Sequence, residues 1–264
     1  MLHRSAAGLG LLVLLLLPST AEAQMVSGAS GQRQSVPSGY DQSWTVSPYW
    51  PGEWPMGFAV ARQGVSVEGR TGMDKALPRS VACTLPYRAV FNPWNGARSA
   101  ASKVEYFSAA KLVPLKALKA FRLDDGAGHK VSVKKGQTVD YLGYLSEGWF
   151  SVRVNGKVLD YAADQSLFDD GKLSPLPDAT EPDELWLSLQ CDNGPTAWLF
   201  VPDLLTSGSG SQCGGTDPTA TCQRWPDGLW NAGSGSVGDG VTDYAEARDL
   251  TDAEIAKGPA SLNP

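Results

Sequence analysis

Between Leu115 and Tyr161 the sequence breaks into the short runs LKALKAFRL, KVSVKKG, QTVDYLGYL, GWFSVRV and KVLDY. They are parted by DDGAGH, Lys135-Gly136, Ser146-Glu147-Gly148 and Asn155-Gly156. Short runs of this kind, each closed by turn formers, predict a small all-β unit. Asn155-Gly156 is the most specific of the turns, because a two-residue hairpin loop needs positive φ at both central positions and Asn-Gly adopts it at least cost. Successive strand residues face opposite ways. Phe150, Val152 and Val154 are therefore predicted to be core, and Trp149, Ser151 and Arg153 to form the outer face.

The same pattern recurs on either side. Glu184 to Gln190 (ELWLSLQ), a turn at Asp192-Asn193-Gly194 and Ala197 to Val201 make one stretch, with Leu185, Leu187 and Leu189 on one face and Trp186 leading the other. Gly57 to Asn95 supplies FAVA, VSVEGR and SVACTL. Neither stretch has enough strands to close a barrel alone. The fold is read as all-β, with one small barrel split between 57–111 and 171–206 and a second, 112–170, inserted between its halves; tandem barrels sharing a strand are the near alternative. Residues 97–111 have helix-forming composition, yet Val104 and Tyr106 alternate, and both readings stay open. Residues 24–56 form an extended arm with Tyr40, Trp44, Tyr49, Trp50 and Trp54 among Pro48, Pro51 and Pro55, expected to lie over the protein's own apolar surface or a partner's. Residues 207–264, rich in Gly, Ser and Asp, read as a flexible tail. Within it lie the turn-borne Trp225 and Trp230 and a Thr251-x-x-Glu254 capping box.

At the N-terminus, the uncharged run Ala6 to Leu17 follows the basic Arg4 and precedes Ala21-Glu22-Ala23. This is the layout of a secretory signal peptide, residues 1–23, and predicts a soluble periplasmic or extracellular protein beginning near Gln24. Export makes the four cysteines a disulfide framework with three possible connectivities. Cys83 and Cys191 both fall on the apolar phase of alternating segments, which favours Cys83–Cys191, leaving Cys213–Cys222 to close a short Gly-rich loop.

The pattern Lys135-Gly136, Val139, Tyr141, Glu147-Gly148-Trp149, Val152 and Gly156 resembles bacterial SH3-like domains. Trp186, Leu187, Gly194, Trp198 and Leu199 look like the closing half of the same pattern. Ala197 stands where the family has its second glycine, and Val65 to Arg70 is the nearest approach to its opening strand. The resemblance implies small exported β-barrels that bind cell-wall peptides or protein segments.

Little in the chain suggests catalysis. His129, the one histidine beyond the leader, sits in a glycine-bounded turn, a poor place to hold a nucleophile's base. The motifs of serine hydrolases, zinc peptidases and nucleotide-binding loops are missing. The carboxylate pairs Asp124/Asp125, Asp169/Asp170 and Asp183/Glu184 leave a cell-envelope hydrolase as the alternative, although acidic residues beside turns have backbone reasons to be there. Asp239-Gly240-Val241-Thr242-Asp243 is short of a calcium loop. No cofactor or metal is expected. A net charge of −6 argues against a nucleic-acid partner. The basic runs Lys116/Lys119/Arg122 and Lys130/Lys134/Lys135 read as solvated strand faces, with a patch on one side as their alternative. The candidate ligand surface is therefore Trp149 and Arg153 with Tyr141 and Tyr144 nearby, flat aromatic area beside a polar handle. The expected ligand is a peptide, a cell-wall component or a partner protein.

Overall fold

The computed structural model describes residues 24–27, 33–36, 39–48, 50, 56–91, 104–124, 128, 130–177, 183–210, 218–219, 221–232 and 249–258. The leader 1–23, Tyr49, Trp54, Pro51, Pro55, residues 97–103, Asp125, His129, Cys213 and the Asp239 to Asp243 segment lie outside them. Within them the protein is all-β, with seven antiparallel sheets, none of which closes into a barrel.

Strands β1 (Gln24–Ser27) and β2 (Arg33–Val36) pair as a hairpin. After β3 (Trp44–Ser47) come β4 (Phe58–Val60), β5 (Ser66–Gly69), β6 (Val81–Thr84) and β7 (Val90–Phe91), with β5 paired to β6 and β4 to β7. β8 (Val104–Lys111) runs through Leu112 into β9 (Val113–Lys116), and β10 (Phe121–Asp124) pairs with β11 (Lys130–Val133). β12 (Thr138–Ser146), β13 (Trp149–Val154) and β14 (Lys157–Asp164) form two consecutive hairpins, followed by the single-turn helix α1 (Ser166–Asp169). β15 (Glu184–Gln190) pairs with β16 (Thr196–Phe200); a 3-10 turn over Val201–Leu204 leads to the paired strands β17 (Thr206–Ser209) and β18 (Thr221–Arg224). β19 (Leu229–Asn231) and helix α2 (Asp252–Lys257) follow.

Two four-stranded sheets organise the molecule, in the orders β16-β15-β8-β3 and β14-β13-β12-β9. Since β8 and β9 are separated only by Leu112, one chain segment serves both. The inner face of the first sheet carries Val104, Leu187, Leu189 and Leu199, packed against Phe58, Leu85 and Phe91. The disulfide Cys83–Cys191 is buried among them, bridging a sequence separation of 108. Cys222 is disulfide-bonded as well. Gly69 is needed where β5 meets β16: a β-carbon there would come within 2.8 Å of the Leu199 side chain. The second sheet has its own core of Leu115, Leu123, Val133, Val139, Phe150, Val152, Val154 and Leu159. The predicted core row of β13 holds, with Phe150, Val152 and Val154 buried and Trp149 and Arg153 half-buried on the other face; Ser151, expected outside, is buried as well, because that face meets the first sheet. Asn155 (φ 53°) and Gly156 (φ 76°) both take the positive φ that their turn demands.

Three expectations change in detail. Residues 104–111, left open between helix and strand, are a strand: β8 pairs with β15 on one side and β3 on the other, and those neighbours override helical composition. Part of the arm is that edge strand, β3, and Trp50 sits in the first core, donating its indole N–H to the Trp186 carbonyl at 3.0 Å. The tail is not wholly apart from the body. Trp225 packs on Phe58 with ring centroids 4.8 Å apart, and β19 pairs with β4. Leu250 enters a small cluster with Ala59 and Val90, and the Thr251/Glu254 capping box forms at α2. Composition averaged over a Gly- and Ser-rich segment hid the short apolar run LWNA.

Candidate functional site

The two sheets meet where the second half of β12 passes β8 and β3. β12 loses its β9 neighbour after Tyr141, and register shifts at Tyr141/Gly143 and Tyr144/Ser146 bend it there. Bulges re-aim side chains in this way. The bend brings Leu142, Gly143 and Tyr144 beside Ser47 and Ser108, which are paired across β3 and β8, and beside Ser151 of β13 and Asp183 at the start of β15. These groups line a cavity of about 10 Å³, room for about one water molecule. Ser108 and Ser151 are almost wholly buried. Ser151 donates its hydroxyl to Asp160, across on β14.

Asp183 is the strongest electrostatic feature of the seam. Burial pushes its carboxyl up to about 6, because a low-dielectric seam penalises the charged form. Its neighbour Glu184 points the other way, as successive strand residues must, and is held by the Tyr40 hydroxyl and the Lys75 ammonium. Tyr40 in turn is raised well above the ordinary tyrosine range, first by burial and then by its bond to Glu184. Asp183 and Glu184 are therefore not a working carboxylate pair. Of the other candidate acids, Asp124 is ion-paired with Lys130 at 3.1 Å and Asp170 with Lys172 at 2.8 Å. Asp169 accepts a bond from Gln165 at 3.2 Å.

The four residues proposed from sequence as a ligand surface are only partly brought together. Tyr141 is turned to the core, with its ring 5.5 Å from Phe150, and burial together with the nearby Asp183 and Tyr144 pushes its hydroxyl up to about 12. Cross-strand register explains this: Tyr141 lies opposite Val152, a core position. Arg153 donates Nε to Asp140 at 3.0 Å. Tyr144 is 39% exposed, and its hydroxyl accepts a bond from the Gly148 N–H at 3.2 Å, close to the half-buried Trp149. Tyr144 and Trp149 thus share one hairpin end, Tyr144 alone lining the seam, while Arg153 lies four residues along β13. What the sequence did not isolate is Asp183. The available signal was a carboxylate immediately before an apolar strand, whose strand neighbour must face the opposite side.

A carboxyl held above its unfolded value binds its proton more tightly in the folded state. Its contribution to stability is therefore fully present below the ordinary aspartate range and is lost as the pH rises through about 6. Urea unfolding should give a native state weaker by about 2 kcal/mol at pH 7 than at pH 4 on account of this group. Asp183→Asn should remove that component of the slope. A slope unchanged by the substitution would show that Asp183 titrates normally.

Comparison with protein-family models, with curated proteins and with solved structures finds no match to this chain in any of the three. The fold and the seam therefore define it only as an all-β protein with an internal disulfide; among the described residues no helix is long and apolar enough to cross a membrane.

Proposed function

We propose that this is an exported, non-enzymatic binding or scaffolding protein of the cell envelope. It holds a peptide, cell-wall fragment or partner protein on the SH3-like 112–170 unit, at the Tyr144/Trp149 hairpin end. One observation carries the reading: the exposed Tyr144 lines a cavity with room for about one water molecule, and the half-buried Trp149 stands on the same hairpin end. A sugar ring or a scissile peptide is too large for this cavity, which favours recognition at the surface, where flat aromatic area contributes most per residue. The buried disulfide accords with an oxidising compartment.

A second reading, an envelope hydrolase, draws on Asp183, since a carboxyl titrating near 6 suits a general acid. One assay separates the two. The protein is sedimented with purified cell-wall sacculi and with bound envelope proteins, and soluble fragments are measured in the same tubes. The binding reading expects retention without fragment release, with retention falling at least about tenfold in Trp149→Ala, the loss typical of an aromatic anchor. Release of fragments that disappears in Asp183→Asn would establish the hydrolase instead.

A further inference from the structure

The basic runs of the second unit do not stay on separate strand faces. The turn at Lys134–Gln137 is tied to the segment after β9, with Gly136 N–H donating to the Ala117 carbonyl at 2.7 Å and Ala117 N–H to the Gln137 carbonyl at 2.9 Å. Gln137 Nε2 donates to Asn155 Oδ1 at 3.0 Å, which locks on the β13–β14 turn. Leu118 N–H donates to the Lys172 carbonyl at 2.7 Å, and Lys119 Nζ donates to the Asp170 carbonyl at 2.6 Å. Four turns therefore form one hydrogen-bonded end of the unit. It lies at the opposite end of β12 and β13 from the Tyr144/Trp149 hairpin.

This end presents Lys116, Lys119, Lys134, Lys135 and Lys157, all exposed. The carboxylate beside them, Asp170, is already paired with Lys172. In their midst is Leu118, 45% exposed and one of three large apolar side chains so open among the described residues. On a chain of net charge −6 this is a local reversal of sign. Exposed lysines on joined turns, with an exposed leucine between Lys116 and Lys119, suit a flat anionic surface with an apolar layer beneath it. Long lysine side chains reach headgroup phosphates while the leucine enters the acyl boundary.

We infer that this lysine-rich end is a docking surface for an anionic phospholipid membrane, through phosphate contacts to the lysines and insertion of Leu118. The inference does not depend on the Tyr144/Trp149 reading, because the two sites are at different ends of the same strands. A soluble polyanion would need the lysines but not the leucine.

The test is co-sedimentation of the processed, secreted chain with vesicles containing phosphatidylglycerol and with vesicles of phosphatidylcholine alone. Binding to the anionic vesicles only, weakening as salt shortens the screening length, is expected. Lys134→Glu/Lys135→Glu should lower the partition coefficient by at least about 25-fold, roughly fivefold per lysine lost. Leu118→Ser should lower it by about tenfold while leaving the salt dependence intact. All of these positions are exposed, and an unchanged thermal midpoint would show that each variant folds. Equal binding to both vesicle types, or no effect of Lys134→Glu/Lys135→Glu, would overturn the proposal. So would inorganic polyphosphate competing fully while Leu118→Ser binds vesicles like the parent. None of these outcomes bears on sacculus retention, which reports the other end.

Discussion

Replacing Cys83 and Cys191 by alanine should cost the folded state about 4–5 kcal/mol, the chain-entropy value for a loop of this length. The bond closes a sequence separation of 108, so the loop it removes from the unfolded ensemble includes the whole second sheet. Whole domains are stable by about 5–15 kcal/mol, so this loss is a large share. Both cysteines are buried against Leu85, Leu187 and Leu199, and the alanines would add a small cavity cost. A polar clasp accompanies the bond: Asn193 accepts from the Thr84 N–H at 3.0 Å and donates to the Ala82 carbonyl at 2.8 Å, and Asp192 N–H donates to the Thr84 carbonyl at 2.8 Å. Urea titrations of parent and variant, each with and without reductant, measure the difference. A change of under about 1 kcal/mol would mean that the unfolded chain is already restrained near this point, by the clasp or by residual structure.

Much of this architecture was readable because local rules sufficed. Cys83 and Cys191 fell on apolar phases of their strands, and a strand phase is set by nearest neighbours. The Asn155-Gly156 turn fixed the β13–β14 hairpin, and with it the buried row Phe150, Val152, Val154. What escaped depends on which distant strands meet. On the outer face of the first sheet Trp186, Phe107, Val46 and Met73 form a third cluster, flanked by Tyr40, Trp44, Trp198 and Phe200. Those residues come from four separate strands and two loops, and no single window contains their common face. Tyr141 is a different case: it stands two residues after the buried Val139 and ahead of the bulge, opposite Val152, so alternation and register both turn it toward the core. The lysine-rich end was visible as two basic runs, with a patch on one side only as the alternative to solvated strand faces. The bonds joining Ala117 to Gly136 and Gln137 to Asn155 are what merge them.

Removing the guanidinium of Arg70 should be the most damaging single change outside the hydrophobic cores, at about 3 kcal/mol. The side chain is 9% exposed, although arginine is seldom buried without partners. Here Nε and Nη1 are both matched. Nη1 meets Asp203 at 2.6 Å, Nε donates to the Leu77 carbonyl at 3.1 Å, and the cation lies 5.7 Å from the centre of the Trp186 ring. Its backbone makes a two-bond bridge with Trp198, at 2.8 and 2.9 Å, so the residue joins the end of β5 to β16. Arg70→Met keeps the apolar stem but leaves the Leu77 carbonyl unpaired and Asp203 without its cation. Asp203 is 27% exposed and can recover some hydration, which places the expected loss at the low end for breaking such a pair. Arg70→Lys should recover only part of it, because one ammonium cannot occupy the Nε and Nη1 positions together. In a double-mutant cycle, Arg70→Met with Asp203→Asn should cost clearly less than the two single changes summed, since each already breaks the same contact. Additive losses would show the pair to be uncoupled, and would leave the stacking on Trp186 and the bond to Leu77 as the source of the Arg70 effect.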